Sequence, residues 1–191
     1  LCHDIGYVRG VCAEDDGDSA VIDEDGTRLD IPRGASDAVL TPYHVTRSKI
    51  FVRERLAKSD VLDGNRIAHA IELTRFPVPN DNDHADTDTE PGLVRAADLI
   101  GQLADPRYPQ KLNALFHEFE EVGTAKQHGF SSPADLVNAY PKFYWSHVAP
   151  YIGEAINFLN LTSEGRQWVA SLHSHVFAVE HGKLASGPHV S

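Results

Sequence analysis

The sequence predicts an all-α fold with one small β-hairpin near residues 20–31, and three observations predict it. Apolar residues recur at three- and four-residue spacing through most of the chain, as in helices that bury one face. Proline and glycine punctuate those stripes at positions where helices start and stop. Only the stretch between Ala20 and Ile31 reads as strand, turn and strand.

A chain of 191 residues fits one ordinary domain and can bury a substantial core. With 41% apolar and 24% charged residues, it has the composition of a soluble globular protein. No apolar run approaches the ~20 residues that span a bilayer, and no signal-peptide pattern opens the chain. A cytoplasmic location without a membrane partner is therefore expected. The formal charge of −11 opposes binding to a nucleic acid polymer, which calls for a basic stripe. A small phosphorylated molecule stays compatible, because a bound cation and a few arginines reverse the sign inside a pocket. Cys2 and Cys12 are too few for a disulfide framework and read as buried thiols. The chain has no methionine and residue 1 already lies inside a motif, so it reads as the C-terminal part of a longer protein. Self-association into a homo-oligomer stays open.

The opening stretch, LCHDIGY, sets His3 directly before Asp4. Imidazole nitrogen and carboxylate oxygen on adjacent residues can hold one divalent cation when the fold supplies further ligands. An acidic segment follows, in which Ala20 to Asp23 and Thr27 to Ile31 flank the turn Glu24-Asp25-Gly26. A calcium loop centred on Gly26 would need ligands at Val21 and Pro32, so that reading fails and the hairpin is taken as a surface insertion.

Thr41-Pro42 predicts a helix start, the helix running to about Lys58 with Val45, Ser48, Val52 and Leu56 on one face. His44 falls in its first turn, where the positive end of the helix dipole favours the neutral imidazole that metal binding needs. A second helix is expected from about Asp60 to Thr74, with Ile67, Ala70, Ile71 and Thr74 at helical spacing, stopping before Pro77 and Pro79. His69 and Glu72 then lie one turn apart, as an ordinary surface pair does.

Residues 79–91, rich in Asp and Asn, read as a mobile polar loop. Leu93 to Leu103 predicts the next helix, with Leu93, Ala96, Ala97, Ile100 and Leu103 inward and Asp98 at the edge of that face. Further helices follow from the stripe Leu112, Leu115, Phe116, Phe119 and Val122, from Ser132-Pro133, and from the stripe Trp168, Val169, Leu172, Val176 and Val179. Pro141 and Pro150 are expected to break the run.

Several catalytic patterns are excluded. HEFEE at His117 lacks the second histidine of a zinc-protease helix, and His173 and His175 point to different sides of a helix. No nucleophile elbow and no phosphate-binding P-loop occur.

Read together, LCHDIGY, YHVTRSKIFVRERL and RAADLIGQL resemble the HD superfamily of metal-dependent phosphohydrolases over roughly the first hundred residues. The resemblance implies an HD-domain-like helical bundle over 1–105, lacking its first helices, with 106–191 packed on the same domain. It implies a metal set of His3, Asp4 and Asp98, with a further histidine upstream of Leu1. It also implies that His44 serves a second metal or the phosphate. Tyr7 stands where the cyclic-di-nucleotide branch carries lysine, so no subfamily is assigned.

The expected function is hydrolysis of a phosphomonoester or phosphodiester of a small substrate, nucleotides being among the candidates. The expected cofactor is a divalent ion among Mn, Mg, Fe, Ni, Co or Zn. Such an ion brings bound water from a pKa of ~15.7 to near 7. Asp4 and His44 are the expected catalytic groups, with Arg95 neutralising charge on the phosphate and Arg47 and Arg75 binding it. The alternative is a non-catalytic binding or signal-output module on the same scaffold.

Overall fold

The computed structural model describes residues 2–121 and 123–182. Leu1 of the opening apolar pair and Val122 of the expected stripe lie outside the described residues. The elements are a 3₁₀ turn Ile5–Tyr7, β1 Ser19–Val21, β2 Arg28–Asp30, a 3₁₀ segment Asp37–Tyr43, α1 His44–Leu56, α2 Gly64–Leu73 and a 3₁₀ turn Asn82–His84. They continue with α3 Glu90–Leu103, α4 Tyr108–Glu121, α5 Thr124–His128, α6 Pro133–Phe143, a π turn Tyr144–Val148, α7 Ala149–Leu159 and α8 Ser163–Glu180. The described residues are mostly helical with one small two-stranded antiparallel sheet, as expected.

It divides into two compact units, Leu1–Asp86 with Glu90–Arg95, and Thr87–Thr89 with Ala96–Ser191. The division falls inside α3.

In the first unit α1 and α2 pack through Val45, Val52 and Ile71, with Phe51, Leu56 and Ile67 at the margin. Helix α1 begins later than Thr41-Pro42 suggested. Ser36 caps a 3₁₀ segment instead, accepting from the Ala38 N–H, and Pro42 sits inside that segment before α1 takes over at His44. Helix α2 also starts late, because the Asp63 carboxylate accepts from the Asn65 and Arg66 N–H groups and so caps it there.

The hairpin is built as expected, Ala20 opposite Leu29, with Gly26 at φ +81° in its turn. It is no surface insertion, however. All three residues of β1 are buried, and Ala20 packs with Ile31 and Leu40. Glu24 at its tip pairs with Lys49 at 3.0 Å and Arg53 at 2.8 Å on α1. The polar loop after Pro79 is likewise fastened: Asp81 caps the turn Asn82–His84, and His84 is buried.

The second unit closes around Ala96, Ile100 and Leu103 of α3, Tyr140, Tyr144, Val148, Ile152, and Leu172 and Val176 of α8. Ala97 and Trp168, expected inward, are exposed. Ser132 and Asp135 form a reciprocal capping box with Pro133 at the first helical position, as Ser-Pro predicts. Pro141 does not end α6. A single π turn follows, just before Pro150, whose missing N–H interrupts the α pattern there, and α7 continues.

Gly6 has no room for a side chain. A Cβ there would meet the His44 carbonyl oxygen at 2.0 Å, whereas at Gly101, exposed on α3, nothing lies within 4 Å. Gly6→Ala should therefore lower the free energy of urea unfolding by roughly 3 kcal/mol, through forced overpacking. Gly101→Ala should leave it unchanged or raise it by up to about 1 kcal/mol, through helix propensity.

Candidate functional site

The opening turn lies on α1, and two consecutive α1 side chains hold it there. The Gly6 N–H donates to Ser48 Oγ at 2.9 Å, and that hydroxyl donates to the His3 carbonyl at 2.7 Å. Arg47 Nε donates to the Gly6 carbonyl, Nη1 to the Val21 carbonyl and Asp15 Oδ1, and Nη2 to the Val8 carbonyl and Asp15 Oδ2. Both side chains of the Arg47–Asp15 pair are fully buried, 2.9 Å apart. Burial would raise the Asp15 carboxyl, but the Arg47 hydrogen bonds and the Val21 and Cys12 N–H groups outweigh it and hold Asp15 below the usual carboxylate range. A guanidinium has five donors, and all five are taken. The expectation that Arg47 binds phosphate is corrected on this ground: its role is to fasten the turn.

His3 and Asp4 emerge at the start of that turn. His3 Nε2 is 3.1 Å from Asp4 Oδ2, and His44 Nε2 is 4.0 Å from Asp4 Oδ1, so the carboxylate lies between two imidazoles. His44 Nδ1 is 2.6 Å from the Thr41 carbonyl, which can only accept, so Nδ1 carries the proton and Nε2 faces Asp4. A backbone carbonyl behind Nδ1 is the usual backing of a metal-bound histidine. The Tyr7 ring stacks on His44, centroids 4.2 Å apart and planes within 13°.

Nitrogen, carboxylate oxygen and nitrogen are suitable donors for a divalent transition-metal ion. Among the described residues, no group of three or more His, Cys, Asp or Glu is arranged around a common cation position. Asp4, with a side chain 54% exposed, has room to turn towards both rings.

Of the other expected site residues, Asp98 belongs to the second unit, half-buried, with Oδ1 accepting from Gln102 one turn on. Arg95 is 2% exposed and donates from its two terminal nitrogens to the His84 and Asp86 carbonyls. It therefore ties the 81–86 loop to α3, which corrects its reading as the group that neutralises charge on the phosphate. Arg75 remains partly exposed, donating to Glu72 and to Thr46 Oγ1.

Glu72 is the hub that sequence pairing with His69 missed, since His69 is exposed. Its carboxylate takes Lys49 at 2.7 Å and Arg75, with His84 Nε2 3.7 Å away. The signal was the spacing Glu72 to Arg75, one helical turn. Cys2 is exposed, against expectation, while Cys12 is buried and burial pushes its thiol up to about 11.

The chain matches the model of the Npun_R2479-like family over residues 1–182 and belongs to that family. No curated protein and no solved structure matches it. No helix among the described residues is long and apolar enough to cross a membrane.

Burial raises the Glu72 carboxyl, yet its hydrogen bonds from Arg75 and Lys49 outweigh this and bring it down from 4.5 to about 2. A depressed carboxylate stabilises the fold above its unfolded value and loses that contribution as pH falls. Unfolding free energy should thus decline as pH drops from about 4.5 to about 2. Glu72→Gln should be less stable at neutral pH and show a shallower decline across that window in urea titrations.

Proposed function

We propose that this chain is a metal-dependent phosphohydrolase acting on a small phosphorylated molecule, built on an HD-type helical bundle. The observation that supports it is the Asp4 carboxylate flanked by His3 and His44, whose Nδ1 is anchored on the Thr41 carbonyl. His3 Nε2, Asp4 and His44 Nε2 are the groups of the first unit that would hold a divalent cation. Asp98, which the HD resemblance adds to the ligand set, belongs to the second unit and is submitted to the same binding test.

A divalent cation held there supplies a nucleophilic water near neutral pH and polarises a phosphoryl oxygen. The chain's own residues do the rest. Asp4, through whichever oxygen is left to it, accepts a hydrogen bond from the attacking water and orients it. Arg75, the partly exposed arginine of the three expected, would offset negative charge on the phosphoryl group. Ser48 and Arg47 hold the backbone of the turn so that His3 and Asp4 keep their positions against α1.

A second reading, a binding or signal-output module without catalysis, is favoured by the commitment of Arg47 and Arg95 to backbone carbonyls. It leaves less cationic surface for a phosphate. Elemental analysis and turnover separate the two. Purified protein should retain a divalent metal and hydrolyse bis-p-nitrophenyl phosphate with added manganese. Asp4→Ala should lose both by at least about tenfold, in the range that ligand and supporting-residue losses produce. Asp98→Ala tests the added ligand in the same way. Hydrolysis retained in Asp4→Ala refutes its role, and metal bound without turnover of any phosphoester selects the binding module.

A further inference from the structure

We infer that Tyr7 is a positioning residue for His44, holding the imidazole in the plane from which Nε2 faces Asp4; this deepens the cation-site reading above and rests on it. The Thr41 carbonyl holds Nδ1 at 2.6 Å, yet a carbonyl oxygen accepts over a broad range of directions, so this bond alone leaves the ring room to tilt. The Tyr7 ring closes that freedom. It lies flat against the imidazole, at 4.2 Å and 13°, and blocks a swing to its side.

Tyr7 also belongs to the same 3₁₀ turn as the carboxylate that His44 faces. Its N–H donates to the Asp4 carbonyl at 3.2 Å, and Gly6, between them, is bonded to Ser48. Any shift of the turn along α1 carries Asp4 and Tyr7 together, and the stacked imidazole follows. The stack has an electronic consequence too. A cation held on Nε2 would withdraw density from the imidazole, and the face of a phenol ring attracts an electron-poor partner. Tyr7 would then favour the metal-loaded ring over the empty one, an effect a flat aromatic has and an aliphatic side chain lacks.

Imidazole NMR of the cation-free protein reads the positioning directly. The unmodified protein should show nuclear Overhauser contacts between the Tyr7 and His44 rings, upfield ring-current shifts on His44, and a proton fixed on Nδ1. Tyr7→Phe should keep the upfield shifts and the fixed proton. Tyr7→Leu should lose the shifts and show both nitrogens sharing the proton, with an unchanged circular dichroism spectrum.

Manganese titration then reads the consequence. Affinity should fall about tenfold or more in Tyr7→Leu and stay within about threefold in Tyr7→Phe, the scale of a lost supporting contact. An unmodified protein without the ring contacts, or a Tyr7→Leu spectrum identical at His44, overturns the inference whether or not metal binds. Should Tyr7→Leu fail to fold, the contacts in the unmodified protein and in Tyr7→Phe still decide it. A protein that binds no manganese overturns the cation-site reading instead, and the cation-free spectra still decide the role of Tyr7.

Discussion

The Arg47 guanidinium is the interaction on which the first unit depends. It is fully buried, and its charge is met by Asp15, itself buried to the same degree. Its remaining donors reach carbonyls from the opening turn and from β1, so one side chain on α1 joins three segments that the chain visits in turn. A buried ion pair adds little stability when compared with an apolar substitute, but removing one partner strands a charge at a cost of several kcal/mol. The pair is therefore better understood as specifying position than as a source of stability. Ser48, the next residue, adds the bridge from the Gly6 N–H to the His3 carbonyl. Gly6 allows the approach, because its backbone lies against the His44 carbonyl with no room for a Cβ. His3 and Asp4 stand where they do because of these three residues.

The fold class was legible from periodicity. The stripe Val45, Ser48 and Val52 is buried as its spacing requires, and the hairpin turns at Gly26. Element starts were less legible where two caps compete: Ser36 and Asp63 each outdo the residue nearest the apolar run, a matter of local hydrogen bonding that spacing does not encode. The candidate site was legible in part. His3, Asp4 and His44 are brought together, though forty positions separate the first and last. What could not be read was the use of the arginines. A guanidinium on a helix looks the same in sequence whether it meets a ligand or a set of buried carbonyls, and Arg47 and Arg95 meet carbonyls. Nor could the acidic segment show that Asp15, among its many neighbours, is the carboxylate carried inward.

A second network secures the other flank of α1. Glu72 of α2 draws Lys49 and Arg75 towards it, Arg75 reaches Thr46, and Glu24 of the hairpin reaches Lys49 and Arg53. Individually such partly exposed pairs are worth little. Together they leave α1 contacted by the opening turn, the hairpin and α2, and it is the first turn of α1 that carries His44. A helix so confined has few ways to move its first residue relative to Asp4, which suits a site that must keep an imidazole and a carboxylate a few ångströms apart.

The claim that these residues form one cation site has a direct test in paramagnetic NMR. Small additions of manganese should broaden the imidazole signals of His3 and His44 together, before those of His69 or His117, because nuclei within a few ångströms of the ion relax first. Broadening of exposed histidines alone, with His3 and His44 unaffected, would contradict the account.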